Sequence, residues 1–402
     1  MPMVNRTFVF LMLACASLSL AGCWDRVEID QRGFVVGIGI DPASAPEDEE
    51  RGQQNARTYR GTYQIIKPSG LSSANGTKGG GGAQEAHFNV TVDENSLPAI
   101  TSRISTRVGR SPYFEHLQMI ILSAELARKP GAVTDVLDYF LRDVEMRRDI
   151  KIIISSGSAK EVLNVAPFNE KYPIAYLVSI SENINNTSFM LPATRIGDMH
   201  EYMLKQDGYT VQKIQVKEGN AALDGAAVFD GKTNVLLGFL SGPETQGLNL
   251  LHGQLKGGIL QTPYADSTVD IELEVVQRII TAEIKSPRDI SFTVAIAVEG
   301  MLDKSIGDNA VDQEDEILDM QQKLEAQILS RCRKTIDKLQ KKYREDVIGL
   351  GAWLRRNHYG VWKQIQGDWN ESIFPNVEIN VIPEVEIRRM GNIIRTEQEG
   401  DT

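Results

Sequence analysis

The sequence predicts a mixed α+β protein made of three successive units behind a short export segment. Three observations support this prediction. Short apolar segments with strand character alternate with helical patterns through residue 190, and a compact run of strand patterns follows as far as residue 265. The last third contains two long strand patterns, one long amphipathic helix and a final strand.

The first unit mixes strands and helices. Strand patterns cover residues 33–40, 58–66, 87–92 and 150–155, and residues 116–122 have the continuous apolar character of a buried strand. Helical patterns cover residues 96–108, 130–141, 159–165 and 171–180. The Gly/Ser-rich stretch of residues 67–85 lacks the Lys-Ser/Thr ending of a phosphate-binding loop, so we interpret it as a flexible insertion.

The middle unit begins after Leu191-Pro192. We expect a helix over residues 195–205, strands over 210–216, 221–229 and 235–240, and a helix from Gly242 to about Leu251, followed by a strand over 257–261. Asp230-Gly231, between the second and third of these strands, is a hairpin signal. Further on, strands over 268–285 and 290–299 are joined by a turn, and a strand over 377–387 closes the chain.

The long helix of the last third has apolar residues every three or four positions from Ile317 to Val347. Acidic residues crowd its start and basic residues its end, which complements the helix dipole. The spacing is nearer 3.6 than 3.5 residues per turn, which favours packing on the chain's own sheet over a coiled-coil or partner helix. Cys332 lies in this pattern, and we interpret it as a core residue rather than a reactive thiol.

The amino terminus has the layout of an export signal. Arg6 precedes an uncharged run that ends at Gly22. As a helix its apolar part would reach about 20 Å, short of a ~30 Å hydrocarbon core, so a removable signal is favoured over a transmembrane helix. The run ends in Leu20-Ala21-Gly22-Cys23, which resembles the bacterial lipobox. We expect residues 1–22 to be removed and Cys23 to carry a diacylglycerol lipid; the alternative is a secreted protein with a chance cysteine.

The composition restricts the partner classes. The formal net charge is −11, and loss of Arg6 with the signal would make it −12, which argues against nucleic acid and against electrostatic attachment to anionic lipid. Because Cys15 would be discarded, only Cys23 and Cys332 would remain, and a lipidated Cys23 leaves no disulfide. Membrane attachment would then depend on the acyl chains, and folding on the core.

Catalytic and metal-binding patterns are sparse. The sequence has no Gly-x-Ser-x-Gly or His-Glu-x-x-His motif, and Gly37-Ile38-Gly39 lacks the third glycine of a dinucleotide fingerprint. Arg142, Arg147 and Arg148 could clamp an anion, but basic residues at a helix C-terminus have a sufficient structural reason. We expect that the protein is not an enzyme and that it holds no metal and no cofactor other than the covalent lipid on Cys23. The five histidines lie apart in sequence: His87, His116, His200, His252 and His358.

Four collinear blocks of sequence carry a family resemblance. They are Cys23-Trp24-Asp25-Arg26 with Gly37–Asp41; His116–Ala127 with Phe140–Ile150; Gly225–Phe229 with Gly238 and Glu244–Gly247; and Trp362 and Trp369 with Phe374–Gly391. Together these blocks resemble the Ger(x)C family, the lipoprotein C subunits of spore germinant receptors, over nearly the whole chain. Val144 stands where that family usually has proline, and the Gly-rich residues 69–82 look like a local insertion.

The resemblance implies three α+β domains, each with helices packed on a mostly antiparallel sheet. With the boundaries read from the sequence, they cover residues 23–192, 193–265 and 266–402, after a signal peptide over 1–22. It also implies residence on the outer face of the spore inner membrane, beside integral-membrane A and B subunits, and a role in nutrient-triggered germination through protein contacts.

Only Cys23 carries over from the family with a chemical role. The alternative function is a solute-binding lipoprotein that captures a small nutrient directly. The hairpin-like strands at 221–240 and 268–300 disfavour the two-lobed plan of such proteins. Whether the chain itself binds a small-molecule ligand stays open.

Overall fold

The computed structural model describes residue 8 and residues 31–43, 58–71, 85–143, 145–167, 169–253, 255, 257–264, 267–302 and 314–388. Almost all of the predicted signal peptide, Cys23, Val144 and most of the Gly-rich stretch lie outside the described residues. The described chain forms two β-sheets with helices packed against them, which confirms the α+β class.

The first sheet has ten strands among the described residues, in the order β10-β9-β8-β6-β5-β1-β2-β3, with β4 beside β1 and β7 beside β6. The central strands β1, β5, β6 and β8 run parallel to one another, and the outer strands are antiparallel. The strands are β1 (Arg32–Pro42), β2 (Tyr59–Ile66), β3 (His87–Glu94), β4 (Ser111–Tyr113), β5 (Met119–Ser123), β6 (Lys151–Ser155), β7 (Thr194–Arg195), β8 (Tyr209–Lys217), β9 (Asn220–Phe229) and β10 (Leu236–Leu240).

Helices cover both faces of the first sheet. After the single turn α1 (Pro68–Leu71), one face receives α2 (Leu97–Ser105), α3 (Ala124–Ala127), α4 (Ala132–Arg142) and, later in the chain, α7 (Ile196–Lys205). The other face receives α5 (Ala159–Leu163) and α6 (Pro173–Ser181). Strands buried on both faces have no solvent side, which explains the uninterrupted apolar sequences of β5 and β6.

The Gly37–Asp41 segment of β1 shows how the sequence produces these layers. Alternate side chains of a strand point to opposite faces, so Ile38 enters the core on the face covered by α2, α3, α4 and α7. Gly37 faces the other way and leaves room for Ile174 of α6, which an added Cβ would overlap. Asp41 then accepts hydrogen bonds from the first two backbone amides of α5, at 2.8 and 2.9 Å, and so caps that helix.

Among the described residues, the second sheet has four strands in the order β11 (Ile259–Tyr264), β12 (Ser267–Ser286), β13 (Asp289–Leu302) and β14 (Glu378–Arg388). The first three are antiparallel and β14 is parallel to β13. Helices pack on one face only: α8 (Gly242–His252), α9 (Glu314–Asp337), α10 (Leu350–Asn357) and α11 (Tyr359–Ile365). Within the described ranges, the opposite face of β12–β14 is open to solvent.

Helix α9 confirms the predicted amphipathic helix on its own sheet, with Met320, Leu324 and Cys332 buried in the core. Its end differs from the prediction. The helix continues as a π-helical segment over Lys338–Tyr343 and stops at Arg344, whose φ is 53°. Val347 therefore lies beyond the helix. It is buried by tertiary packing in the core and not as part of the helix's apolar face, and the periodicity of the sequence cannot distinguish these two cases.

Helix α8 joins the two sheets, because one continuous core runs from β9 and β10 through α8 to α9 and the second sheet. Gly247 faces α9, where an added Cβ would lie 2.8 Å from the carbonyl oxygen of Arg331. Asn249 donates to the carbonyl of Ser188 at 3.0 Å. The Glu244–Gly247 block therefore serves packing. The domain boundaries at 192 and 265 stay predictions; the first sheet continues across residue 192 through the pairing of β6 with β8.

Candidate functional sites

Cys23, the predicted lipidation site, lies outside the described residues, but covalent geometry limits its distance from the fold. Strand β1 begins at Arg32, nine residues after Cys23. Nine residues span at most about 30 Å when fully extended. A lipid on Cys23 would therefore hold the Arg32 end of the first sheet within about 30 Å of a bilayer. In the described part of the chain, no helix combines the length and the apolar character that a membrane span requires.

A cavity of ≈440 Å³ opens at the same end of the first sheet. Lys67, Arg107 and Arg110 bring positive charge to a lining that is otherwise largely apolar. Lys67 Nζ lies 3.7 Å from Glu85 Oε2, and Arg107 donates to the backbone carbonyl of Thr91 at 3.0 Å. The cavity is a local exception to the acidic balance of the chain. Its apolar lining residues include Ile65, Ile66, Phe88 and Val108.

The histidines and cysteine form no metal site in the ranges that the structure describes, where no three His, Cys, Asp or Glu side chains converge as ligands. His252 Nε2 lies 2.7 Å from the carbonyl oxygen of Val347, and desolvation lowers the pKa of His252 to about 4. Cys332 is fully buried in the core, which confirms that it is a core residue, and this burial raises the pKa of its thiol to about 12.

The three arginines near the end of α4 make local contacts. Arg142 pairs with Asp138 at 2.8 Å, one helical turn earlier, and Arg147 pairs with Asp149 at 2.6 Å. The backbone carbonyl of Arg148 accepts a hydrogen bond from α7. These contacts support the structural interpretation over an anion clamp.

Two adjacent buried carboxyl groups, Glu345 and Asp346, lie where the two sheets meet. Glu345 Oε1 accepts hydrogen bonds from the amide of Gly231, in the β9–β10 turn, at 3.3 Å and from Asn370 Nδ2 at 2.7 Å. Burial, reinforced by the negative charge of Asp230, raises the pKa of Glu345 to about 8. Glu345 is therefore mostly protonated at neutral pH.

Asp346 organises the start of α10. Its carboxylate accepts hydrogen bonds from the amides of Gly349 and Gly351 at 2.9 and 2.6 Å and from the Trp369 indole at 3.0 Å. Burial raises the pKa of Asp346, and these hydrogen bonds oppose the rise.

Arg355 of α10 reaches across to the first sheet, where it makes two hydrogen bonds to Asp207, at 3.0 and 2.6 Å. Together with Glu345 and Asp346, this pair forms a junction that fixes the C-terminal helices against the turns flanking β8–β10. Sequence reasoning missed this junction because its partners lie 114 residues apart for Glu345 and Gly231 and 148 apart for Arg355 and Asp207. The one feature of the sequence that points to the junction is the position of Glu345-Asp346 between the basic segment 341–344 and the apolar Val347-Ile348.

The open face of the second sheet, which consists of the outward side chains of β12, β13 and β14, is a different kind of candidate. Ile279 pairs with Ala295, and Ala295 with Ile382, so the three form one row across the strands. Ile279 is 68% exposed and Ile382 is 50% exposed. Sequence reasoning did not single out this row, because it depends on a register between strands that lie far apart in the chain.

The fold and these sites define an α+β protein whose buried polar groups join its two sheets. Two family models match most of the chain: the spore germination protein N-terminal domain over residues 25–214, and the spore germination B3/GerAC-like C-terminal domain over residues 224–391. The chain belongs to the Ger(x)C family of spore germination proteins.

Relatives match over almost their full length. The chain is 26% identical to spore germination protein YndF of Bacillus subtilis (strain 168) over 401 residues, 96% of each chain. It is 28% identical to spore germination protein B3 of the same organism over 367 residues, 90% of this chain and 91% of that one. The crystal structure of the GerBC protein shares the fold, with a TM-score of 0.59 at 24% identity, covering 87% of this chain and 97% of that chain.

Proposed function

We propose that this protein is the lipid-anchored, non-enzymatic subunit of a nutrient-germinant receptor, held on the outer face of the spore inner membrane by a diacylglycerol on Cys23. The observation that carries the proposal is the match of the two germination family models over residues 25–214 and 224–391. The lipobox-like Leu20–Cys23 stands directly ahead of the first matched segment.

The arrangement of the first sheet is compatible with anchoring at one end. The first described strand starts at Arg32, so a lipid on Cys23 would hold that end of the sheet close to the headgroups. The basic cavity with Lys67, Arg107 and Arg110 opens at the same end, where anionic headgroups would be nearest. The acyl chains would provide the attachment, and the cavity would help to orient the protein.

The proposed action is through protein contacts with the integral-membrane A and B subunits of the receptor. The relatives YndF and B3 carry germination names, which supports partnership within such a receptor. Direct capture of a nutrient by a solute-binding lipoprotein gains no support from the family models or from the named relatives.

The variant Cys23→Ala tests the anchoring and the role together. We expect it to lose incorporation of radiolabelled fatty acid and to leave the membrane fraction, because alanine cannot form the thioether to diacylglycerol. Spores with this variant should fail to respond to the cognate nutrient while still germinating with a surfactant that bypasses receptors.

The matched control is Cys15→Ala, a cysteine-to-alanine change inside the segment that is expected to be removed. The Cys15→Ala protein should incorporate radiolabelled fatty acid normally, and spores that carry it should germinate normally. Persistent labelling of Cys23→Ala would contradict the lipid assignment. An unchanged nutrient response, in a strain without a second receptor for that nutrient, would contradict the receptor role.

A further inference from the structure

The open face of the second sheet has an apolar centre that the fold does not use. The opposite face supplies the core, with Phe292, Val294 and Ile296 each at most 1% exposed. On the open face, the row of Ile279, Ala295 and Ile382 runs across all three strands. A sheet face that contacts only water is normally polar, because alternation places apolar residues toward the core. This row therefore needs an explanation other than folding.

The side chains on one side of the apolar row are short and polar. The neighbouring row consists of Thr281, Thr293 and Asn380, which pair across the same strands. On the other side, Gln277, Ala297 and Glu384 form a mixed row, and Val275, which is 38% exposed, lies one row beyond it. Contiguous exposed apolar surface marks interaction sites in soluble proteins, and the row of Ile279, Ala295 and Ile382 is the contiguous part of this face.

The rim of the open face is acidic. Its two basic side chains are already engaged: Lys285 Nζ lies 3.8 Å from Glu283, and Arg388 lies 2.8 Å from Glu299 and 3.7 Å from Glu386. The remaining negative charge has no basic partner among the described residues of this face. The acidic residues on the face include Glu272, Glu283, Glu299, Glu378, Glu384 and Glu386.

We propose that the open face docks a protein whose matching surface has a flat apolar centre and a rim of lysine or arginine. Charge complementarity selects this occupant, because carboxylates around a desolvated apolar centre attract cations and repel like charge. An anionic bilayer would meet the acidic rim with phosphates, and a second copy of this chain would meet it with the same carboxylates. Both are disfavoured by repulsion. The inference rests on the proposed function, since it locates where a partner subunit contacts this chain.

Site-specific photo-crosslinking in spore membranes tests the proposal on the full chain. A photoreactive amino acid is placed at position 279 and, separately, at position 382. We expect both to crosslink to a protein, at a peptide in which apolar residues are flanked by Lys or Arg. The matched control is position 204, where Leu204 on α7 is 73% exposed but lies on the first unit; it should crosslink at least about tenfold less.

Charge reversal provides a second arm. Glu384→Lys combined with Glu386→Lys should lower the crosslinking yield at position 279 by about tenfold, because two attractive contacts become repulsive. All substituted positions are at least half exposed or carry solvent-facing charge, so the thermal unfolding midpoint should stay unchanged and verifies that each variant is folded.

Four results would overturn the proposal: crosslinks to lipid only, crosslinks only to a second copy of this chain, equal yields at 279 and 204, or no crosslink at 279 and 382. A different result would contradict the proposed function, namely a normal nutrient response in Cys23→Ala spores. The crosslinking result at positions 279 and 382 and the nutrient response of Cys23→Ala spores can each fail independently.

Discussion

The two sheets of this protein are covered in different ways. In the first sheet, helices pack on both faces, and the parallel strands β5 and β6 are apolar almost throughout. In the second, helices pack on one face, and β13 alternates buried and solvent-facing residues along most of its length. Apolar side chains of the first sheet are thus accounted for by folding, whereas Ile279 and Ile382 are not. The difference separates residues that stabilise the molecule from residues available to a partner.

The largest expected effect comes from the inner face of the second sheet. Phe292 is 1% exposed and packs edge-on against Trp353 and Trp369, with ring centroids 6.0 and 6.4 Å apart. Phe292→Ala should lower the free energy of unfolding by about 3–5 kcal/mol, because it removes buried contacts and leaves a cavity. Urea unfolding of the purified protein measures this change.

The matched change on the open face is Ile279→Thr, which keeps the β-branched shape. It should alter the free energy of unfolding by no more than about 0.5 kcal/mol, as for an ordinary surface position. Similar losses of unfolding free energy in Phe292→Ala and Ile279→Thr would contradict the claim that only the inner face of the second sheet stabilises the fold.

An effect between these two is expected at the junction between the sheets. The pKa of Glu345 is about 8 in the folded chain against an ordinary 4.5. The stability linked to its protonation is therefore fully present below pH 4.5 and is lost as the pH rises through 8. Glu345→Gln keeps a neutral group there. Between pH 6.5 and 9 the parent protein should lose about 2 kcal/mol of unfolding free energy relative to this variant.

The window starts at pH 6.5 because His252, with its pKa lowered to about 4 from 6.5, affects stability only at lower pH. Denaturant unfolding at a series of pH values measures the difference. Glu170→Gln, at an exposed glutamate, is the control and should follow the parent protein. Parallel pH profiles for Glu345→Gln and the parent would contradict the assignment of a protonated Glu345.

Local patterns predicted most elements but not how they pair. The apolar run at residues 116–122 and the alternation in 290–299 correctly indicated strands, since each reflects what lies on the two faces of that strand. The capping and packing roles of Asp41 and Gly247 were outside the reach of sequence patterns, because the contacting residues lie in other elements. The family blocks containing them were nevertheless recognised, and the structure supplies their physical reason.

The candidate sites were less predictable than the fold. Cys23 was found from a local pattern, and it lies outside the described residues. The Glu345 junction and the Ile279–Ala295–Ile382 row each combine residues from elements far apart in sequence, and a single sequence carries no record of such proximity. A predicted helix end at Val347 was wrong for the same reason, since burial of that residue comes from tertiary packing beyond the helix.

Thiol protection at position 279 tests most directly whether the open face is occupied by a partner. Ile279→Cys and Leu204→Cys are each treated with a maleimide, first in spore membranes and then after purification in detergent. Cys332 is buried and its thiol pKa is raised to about 12, so it should not interfere. We predict that position 279 reacts at least about tenfold more slowly in membranes than after purification, while position 204 reacts equally in both. Equal reactivity of position 279 in the two states would contradict the account.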